Sequence, residues 1–309
     1  MLRALHQFLI GFPLTAVGSD PRERLFALPA RILTTTFTVV LTVTLLVAQN
    51  ARCQVVSSDW WAWQNDFPQG NDLYGVWGSS ETDLYAVGAF GTILHFDGNT
   101  WTGLTSNTTN NLNSVWGSPA RDSNGNANDV YVAGAGGTIL HYDGTGWSSL
   151  TSNTTSNLSS VWGSSATDVY AVGAGGVILH YGGTGTAWSP MNSGTTNDLG
   201  GVWANTATDV YAVGSCSTVL HYDGTAWQTL AIPLPAGSQA CYFNLLGVWG
   251  SSSVDSSGHA NDVYVVGPMY SSIGYSWHFD GTAWSSPVNY GGYVYAVSGS
   301  SPTDVVIVG

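Results

Sequence analysis

Short apolar runs, each bounded by glycine, asparagine, aspartate or threonine, recur along the chain from Leu73 onward. Asp83-Leu84-Tyr85-Ala86-Val87-Gly88 and the following Ile93-Leu94-His95-Phe96 are too short and too uniformly apolar for amphipathic helices. Runs of that kind, rich in β-branched and aromatic residues, predict strands buried on both faces. Ile93 and His95 then point to one side, Leu94 and Phe96 to the other. The link Gly88-Ala89-Phe90-Gly91 predicts a tight hairpin. Asp97-Gly98 predicts a two-residue type I′ turn, which needs positive φ at both centres.

The pattern returns in a fixed order. Val76-Trp77-Gly78 recurs as Val115-Trp116-Gly117, Val161-Trp162-Gly163, Val202-Trp203 and Val248-Trp249-Gly250, at spacings of 39, 46, 41 and 46 residues. Each is followed by a run opened by Asp83, Asp129, Asp168, Asp209 or Asp262, then by one carrying His95, His141, His180, His221 or His278. Trp101, Trp147, Trp188, Trp227 or Trp284 closes the unit. Four antiparallel strands, A to D, in a repeat of roughly 40–45 residues make the blade of an all-β propeller. Because blades fan apart from an axis, the two tryptophans of each unit are expected to fill the wedge between neighbours.

Five complete blades are predicted near residues 74–104, 113–150, 159–190, 200–230 and 246–287, with a partial sixth at 293–309. Its A strand reads as Val294-Tyr295-Ala296-Val297 and its B strand as Asp304-Val305-Val306-Ile307-Val308. Trp61-Ala62-Trp63 looks like an orphan D strand, so residues 60–64 are a possible closing strand. The chain reads as a fragment or an incomplete ring.

Charge narrows the partners. The net charge is −13, lysine is absent, and Arg121 alone of six basic residues follows Cys53, whereas only Asp20 and Glu23 of nineteen acidic residues precede it. Nucleic acid and anionic lipid both need cationic side chains, so the body of the protein binds neither. Arg22, Arg24 and Arg31 precede an apolar run at residues 32–48. Residues 1–52 are expected to be a signal peptide, giving a secreted or surface protein; anchoring by residues 32–48 is the alternative, and the sole route to a membrane.

Candidate chemistry is sparse. The five repeat histidines sit in different blades and do not converge on a metal; a structural hydrogen bond is expected, with the Asp opening strand B as a candidate partner. Loops that depart from the repeat are more informative. Asp122, Asn124, Asn126 and Asn128 place oxygens at alternate positions, as calcium loops do. The distant bidentate Glu of such loops is missing, which favours an extended hairpin around Asn124-Gly125. Cys216 and Cys241 fall in a B–C loop and the next D–A loop, which share one face. They pair as a disulfide or stand as two unrelated thiols. Tyr242, Phe243, Tyr270 and Tyr275, in the two longest loops, form a candidate binding patch for a glycan or a protein.

Val-Trp-Gly-Ser-Ser-x-Thr-Asp-Val-Tyr-Ala-Val-Gly followed by Gly-Thr-Ile-Leu-His-Tyr-Asp-Gly-Thr-x-Trp resembles repeats of large secreted bacterial proteins. It is also similar to the Asp-box (BNR) repeats of sialidases and to the propellers of photosystem II assembly factors. The resemblance spans residues 60–309 and implies the fold, with little about function. Tyr142-Asp143-Gly144-Thr145-Gly146-Trp147 lacks the leading Ser of an Asp-box and is more tightly spaced. The resemblance implies that Asp97, Asp143, Asp223 and Asp280 are turn formers. Sialidase activity needs an arginine cluster, and Arg121 stands alone. The expected function is a non-enzymatic exported module that binds or displays protein or glycan. A structural or assembly-factor scaffold is the alternative, and a non-catalytic part of a larger exported enzyme the second.

Overall fold

The computed structural model describes residues 70–118, 120–121, 125, 127–256, 258–270 and 273–309. The residues assigned above to export, to Cys53 and to the closing strand at 60–64 lie outside the described residues. Among the described residues, no helix is long and apolar enough to cross a membrane.

The described residues form twenty-two strands in six antiparallel sheets, in chain order. The first holds β1 (Leu73–Ser80), β2 (Asp83–Gly88), β3 (Ile93–Phe96) and β4 (Trp101–Leu104); the second holds β5 (Leu112–Gly117), β6 (Val130–Gly134), β7 (Ile139–Tyr142) and β8 (Trp147–Ser149). The third runs through β9 (Leu158–Ser165), β10 (Asp168–Gly173), β11 (Ile178–Tyr181) and β12 (Ser189–Met191). The fourth contains β13 (Leu199–Thr206), β14 (Asp209–Gly214), β15 (Thr218–Tyr222) and β16 (Trp227–Thr229). The fifth contains β17 (Gly247–Gly250), β18 (Val263–Met269), β19 (Ile273–Phe279) and β20 (Val288–Asn289). The sixth pairs β21 (Ala296–Ser301) with β22 (Asp304–Val308). The A strands of all six sheets line one cavity of about 480 Å³, each contributing a valine: Val76, Val115, Val161, Val202, Val248 and Val297. The molecule is a β-propeller.

Neighbouring blades interlock through the Val-Trp-Gly motif. A methyl group on Gly117 would lie 2.4 Å from the Trp77 ring, on Gly163 2.8 Å from Trp116, on Gly250 2.6 Å from Trp203, and on Gly299 2.5 Å from Trp249. The tryptophan of one blade therefore covers the glycine of the next. Ala204 replaces that glycine in the fourth blade, where Trp162 is half-buried against the same core. The hydrophobic clusters accordingly span seams: Tyr85, Val87 and Ile93 pack with Leu112, Val115 and Val130.

Two expectations are corrected. The sixth A strand begins at Ala296, with Val297 opposite Ile307 and Ser298 opposite Val306. Ser300 donates to Asp304 as Ser79 does to Asp83, and this turn sets the register. Ser298 thus stands where the other blades carry tryptophan, while Tyr293 and Tyr295 stack on each other ahead of the strand. The C–D link is not a type I′ turn: positive φ falls on Gly98 but not on Asp97. Asp97 Oδ1 accepts from the backbone N–H groups of Asn99 and Thr100, closing a longer turn with its side chain.

Candidate functional site

The A–B end of every complete blade carries the same polar pair. Asp Oδ1 faces His Nε2 at 2.7 Å for Asp83–His95, 3.1 Å for Asp129–His141, 2.7 Å for Asp168–His180 and 2.8 Å for Asp209–His221. Asp262 and His278 make the fifth pair. Antiparallel pairing explains the geometry: Tyr85 is opposite His95, so the aspartate two residues earlier lies on the same face. Each histidine also packs on the tyrosine of its own blade, from 4.2 Å between ring centres at Tyr264–His278 to 4.6 Å at Tyr85–His95. Burial pushes the Asp83 carboxyl up, but hydrogen bonds from His95, Ser79 and the Ala127 N–H, with the His95 charge, hold it below the ordinary range. These pairs radiate one per blade and share no reacting centre.

The long A–B loops of blades two and five explain why Asp83 and Asp209 are fully buried. Ala127 N–H donates to Asp83 Oδ2 at 2.7 Å, and Ala260 N–H to Asp209 Oδ2 at 2.6 Å, each reaching back to the preceding blade. Antiparallel bridges Arg121↔Ala127 and Val254↔Ala260 close the base of each loop. Arg121 joins this lock: it donates to Ser79 O at 3.0 Å and sits 5.8 Å from the Trp77 ring centre. Of the candidate calcium ligands, Asp122, Asn124 and Asn126 lie outside the described residues. The Asn128 amide nitrogen, in the orientation that satisfies it, faces Asp129 Oδ2 at 3.3 Å and Ala120 O at 3.1 Å. Among the described residues, no group of three or more metal-ligating side chains converges.

The other end of the strands carries the B–C tips and D–A links. Phe90, Gly136, Gly175, Cys216 and Tyr270 lie at these tips with φ of 55°, 62°, 70°, 55° and 50°. The next D–A link holds three of them: Asn111 Oδ1 accepts from Phe90 N–H, Asn157 Oδ1 from Gly136 N–H, and Asp198 Oδ1 from Gly175 N–H. Cys216 and Cys241 are joined as a disulfide, tying the insert at residues 231–244 to the fourth tip. Tyr242 O in turn accepts from Tyr270 N–H at 2.9 Å, and the two rings lie 4.3 Å apart.

The four candidate patch residues separate by burial. Phe243 is 1% exposed and Tyr275 7%; they meet edge-on at 5.4 Å and pack with Trp277, so they are core residues. Tyr242 is half-buried against the same cluster, and Tyr270 is 58% exposed. Reading the sequence by loops missed Phe90, which is 71% exposed. Its signal was present: phenylalanine stands where the second and third units have glycine.

The class defined by these features is a β-propeller with one loop face tipped by aromatic rings and an opposite face edged by acidic turns. No family model and no curated protein matches the sequence. Among solved structures, a YCF48 bound to a D1 peptide is similar over 82% of this chain and 94% of its own, with 14% identity and a TM-score of 0.39. YCF48 from Cyanidioschyzon merolae is similar over 78% of this chain and 94% of its own, with 13% identity and a TM-score of 0.45.

Proposed function

We propose that the chain is a protein-binding scaffold, rather than an enzyme, and that its partner docks on the loop face. Phe90 carries the reading. Left-handed backbone costs a non-glycine residue about 1–2 kcal/mol. Phe90 adopts it at φ 55° while leaving its ring 71% exposed, which contributes nothing to the core. Tyr270 repeats the combination at φ 50° and 58% exposure. Strain kept at an exposed aromatic tip is best accounted for by what the tip touches, and aromatic rings dominate protein interfaces. The His–Asp pairs support the same view, since a feature repeated in every complete blade serves the blade. Display outside the cell, expected from the N-terminal run, belongs to this proposal.

Crosslinked pull-downs from the encoding organism test it with the parent chain, Phe90→Gly, Tyr270→Ala and, on the opposite face, Asp97→Asn. One defined protein should be captured by the parent and Asp97→Asn and lost from the two tip variants. Phe90→Gly should leave stability within about 0.5 kcal/mol, because relief of strain offsets the added freedom of the unfolded chain. Equal capture by all four chains, or saturable binding confined to a glycan array, would overturn the reading.

A further inference from the structure

The seam between the fourth and fifth blades breaks a pattern shared by three earlier seams. Tyr85, Tyr131 and Tyr170 meet the closing tryptophan of the next blade edge-on, at 6.1 Å to Trp147, 6.3 Å to Trp188 and 6.4 Å to Trp227. Those tryptophans bury their indole N–H groups inside the interface without a hydrogen bond. Tyr131 and Tyr170 also donate their hydroxyls to Ala166 O and Ala207 O of the next blade. Tyr211 does neither. Its ring meets Trp203 and His221, not Trp284, and its hydroxyl donates to no described residue.

The cause is local. Trp277 stands where the other C strands carry leucine, is fully buried, and donates its indole N–H to Pro233 O at 2.7 Å. It packs with Ile232 and Phe243 of the insert, while Trp284 keeps the contact with its own C strand that the other closing tryptophans make, at 5.4 Å to Phe279, without reaching Tyr211. An open groove of about 500 Å³ remains, lined by Tyr211, His221, Asp255, His259, Phe279 and Trp284 among others. It reaches from Asp255 and His259 of the A–B loop to Ala231 and Pro233 of the insert, and because neither Phe90 nor Tyr270 lines it, it is independent of the docking reading.

The lining has a definite chemistry. Tyr211 is only 2% exposed, and its hydroxyl, which bonds no described residue, belongs to a side chain that lines the groove, where a ligand can bond it. Burial, with the Asp209 and Asp255 carboxylates, pushes the Tyr211 phenol up and keeps its proton on. Trp284 and Phe279 line it with aromatic rings, Asp255, whose Oδ1 accepts from His259 N–H at 3.0 Å, brings a negative charge, and no lysine or arginine lines the groove. We propose that this groove binds an organic cation, an alkylammonium or guanidinium head, over the Trp284 ring with Asp255 as counter-charge. The Tyr211 oxygen accepts from any N–H that the head carries.

Isothermal titration of the full chain tests charge and source together. The probes are tetramethylammonium, N-acetyl-arginine amide and N-acetyl-lysine amide, with tert-butanol as an uncharged shape control. At least one cation should bind saturably, and Asp255→Asn and Trp284→Leu should each weaken it by about tenfold. Phe90→Gly, outside the groove, should change nothing. Tighter binding of the amino-acid amides assigns the site to a partner's side chain, and tighter tetramethylammonium assigns it to a free amine. Because Trp284 also packs in the core, exposed Asp255→Asn is the deciding variant, with an unchanged melting temperature as its control. No saturable cation, equal binding of tert-butanol, or an Asp255→Asn chain that binds like the parent would refute the proposal.

Discussion

The ring of Trp77 lies so close over Gly117 that a methyl group there would sit 2.4 Å from it. No rotamer change at position 117 avoids this, because the methyl is fixed to the backbone of β5. Gly117→Ala must displace the indole or spread two blades, at about 1–3 kcal/mol. Ala204, at the equivalent position of the seam between blades three and four, shows that such a seam accepts a methyl where the packing has adjusted to it. Urea unfolding should therefore show Gly117→Ala clearly destabilised and Ala204→Gly changed by less. A Gly117→Ala chain as stable as the parent would mean that the blades are not locked through this contact.

Part of this arrangement was readable from the residues and part was not. Pairing of His95 with Asp83 follows from antiparallel register, since both lie on one face of adjacent strands. The Trp–Gly lock does not, because each tryptophan is adjacent in sequence to the glycine of its own blade and covers that of the next. The sixth blade was misplaced because Val294-Tyr295-Ala296-Val297 alternates like a strand while Ser298 hides the tryptophan position. Phe243 and Tyr275 looked like loop residues because nothing local shows that the insert folds inward onto Trp277. The groove beside Tyr211 depends on that same tryptophan, and a seam between blades leaves no pattern within either one.

Asp83 and Asp304 occupy equivalent turns in different surroundings. Asp83 is fully buried, bonded to His95, Ser79 and Ala127, whereas Asp304 is exposed and accepts from Ser300. Removing one member of a buried, hydrogen-bonded pair costs about 3–5 kcal/mol, while surface changes stay within about 0.5 kcal/mol. Asp83→Ala should thus lower the melting temperature far more than Asp304→Ala does. Equal effects of the two substitutions would show that the pair contributes little to the fold.

Stability should fall in acid through a defined window. Asp83 has a folded value below 3.8, and the turn carboxyls Asp143 and Asp280, held by bonds from Thr145 and Thr282 first, lie at about 2. A depressed folded value means that the contribution is complete above the unfolded value and is lost as pH falls through the folded one. Urea midpoints should be level from pH 7 to near pH 5 and then decline between about pH 4 and pH 2. Asp83→Asn should make that decline shallower. A midpoint that holds steady down to pH 2 would contradict the shifts.

The disulfide between Cys216 and Cys241 should act on one side of the ring only. It closes 25 residues of chain, for which constraint of the unfolded state predicts about 3.5 kcal/mol. Its local consequence is more specific. Cys241 precedes Tyr242, whose carbonyl accepts from Tyr270 N–H, so the bond connects the tips of blades four and five through one short path. In repeat architectures each unit contacts its neighbours, and loosening one link leaves distant units in place. Replacing both cysteines by serine should speed amide exchange at Tyr242 and Tyr270, while Val132, buried in blade two, keeps its protection. Phe243, 1% exposed between Tyr275 and Trp277, is the competing anchor for the insert. If exchange at Tyr270 is unchanged in the double serine variant but rises in Phe243→Ala, packing rather than the disulfide holds the aromatic tip.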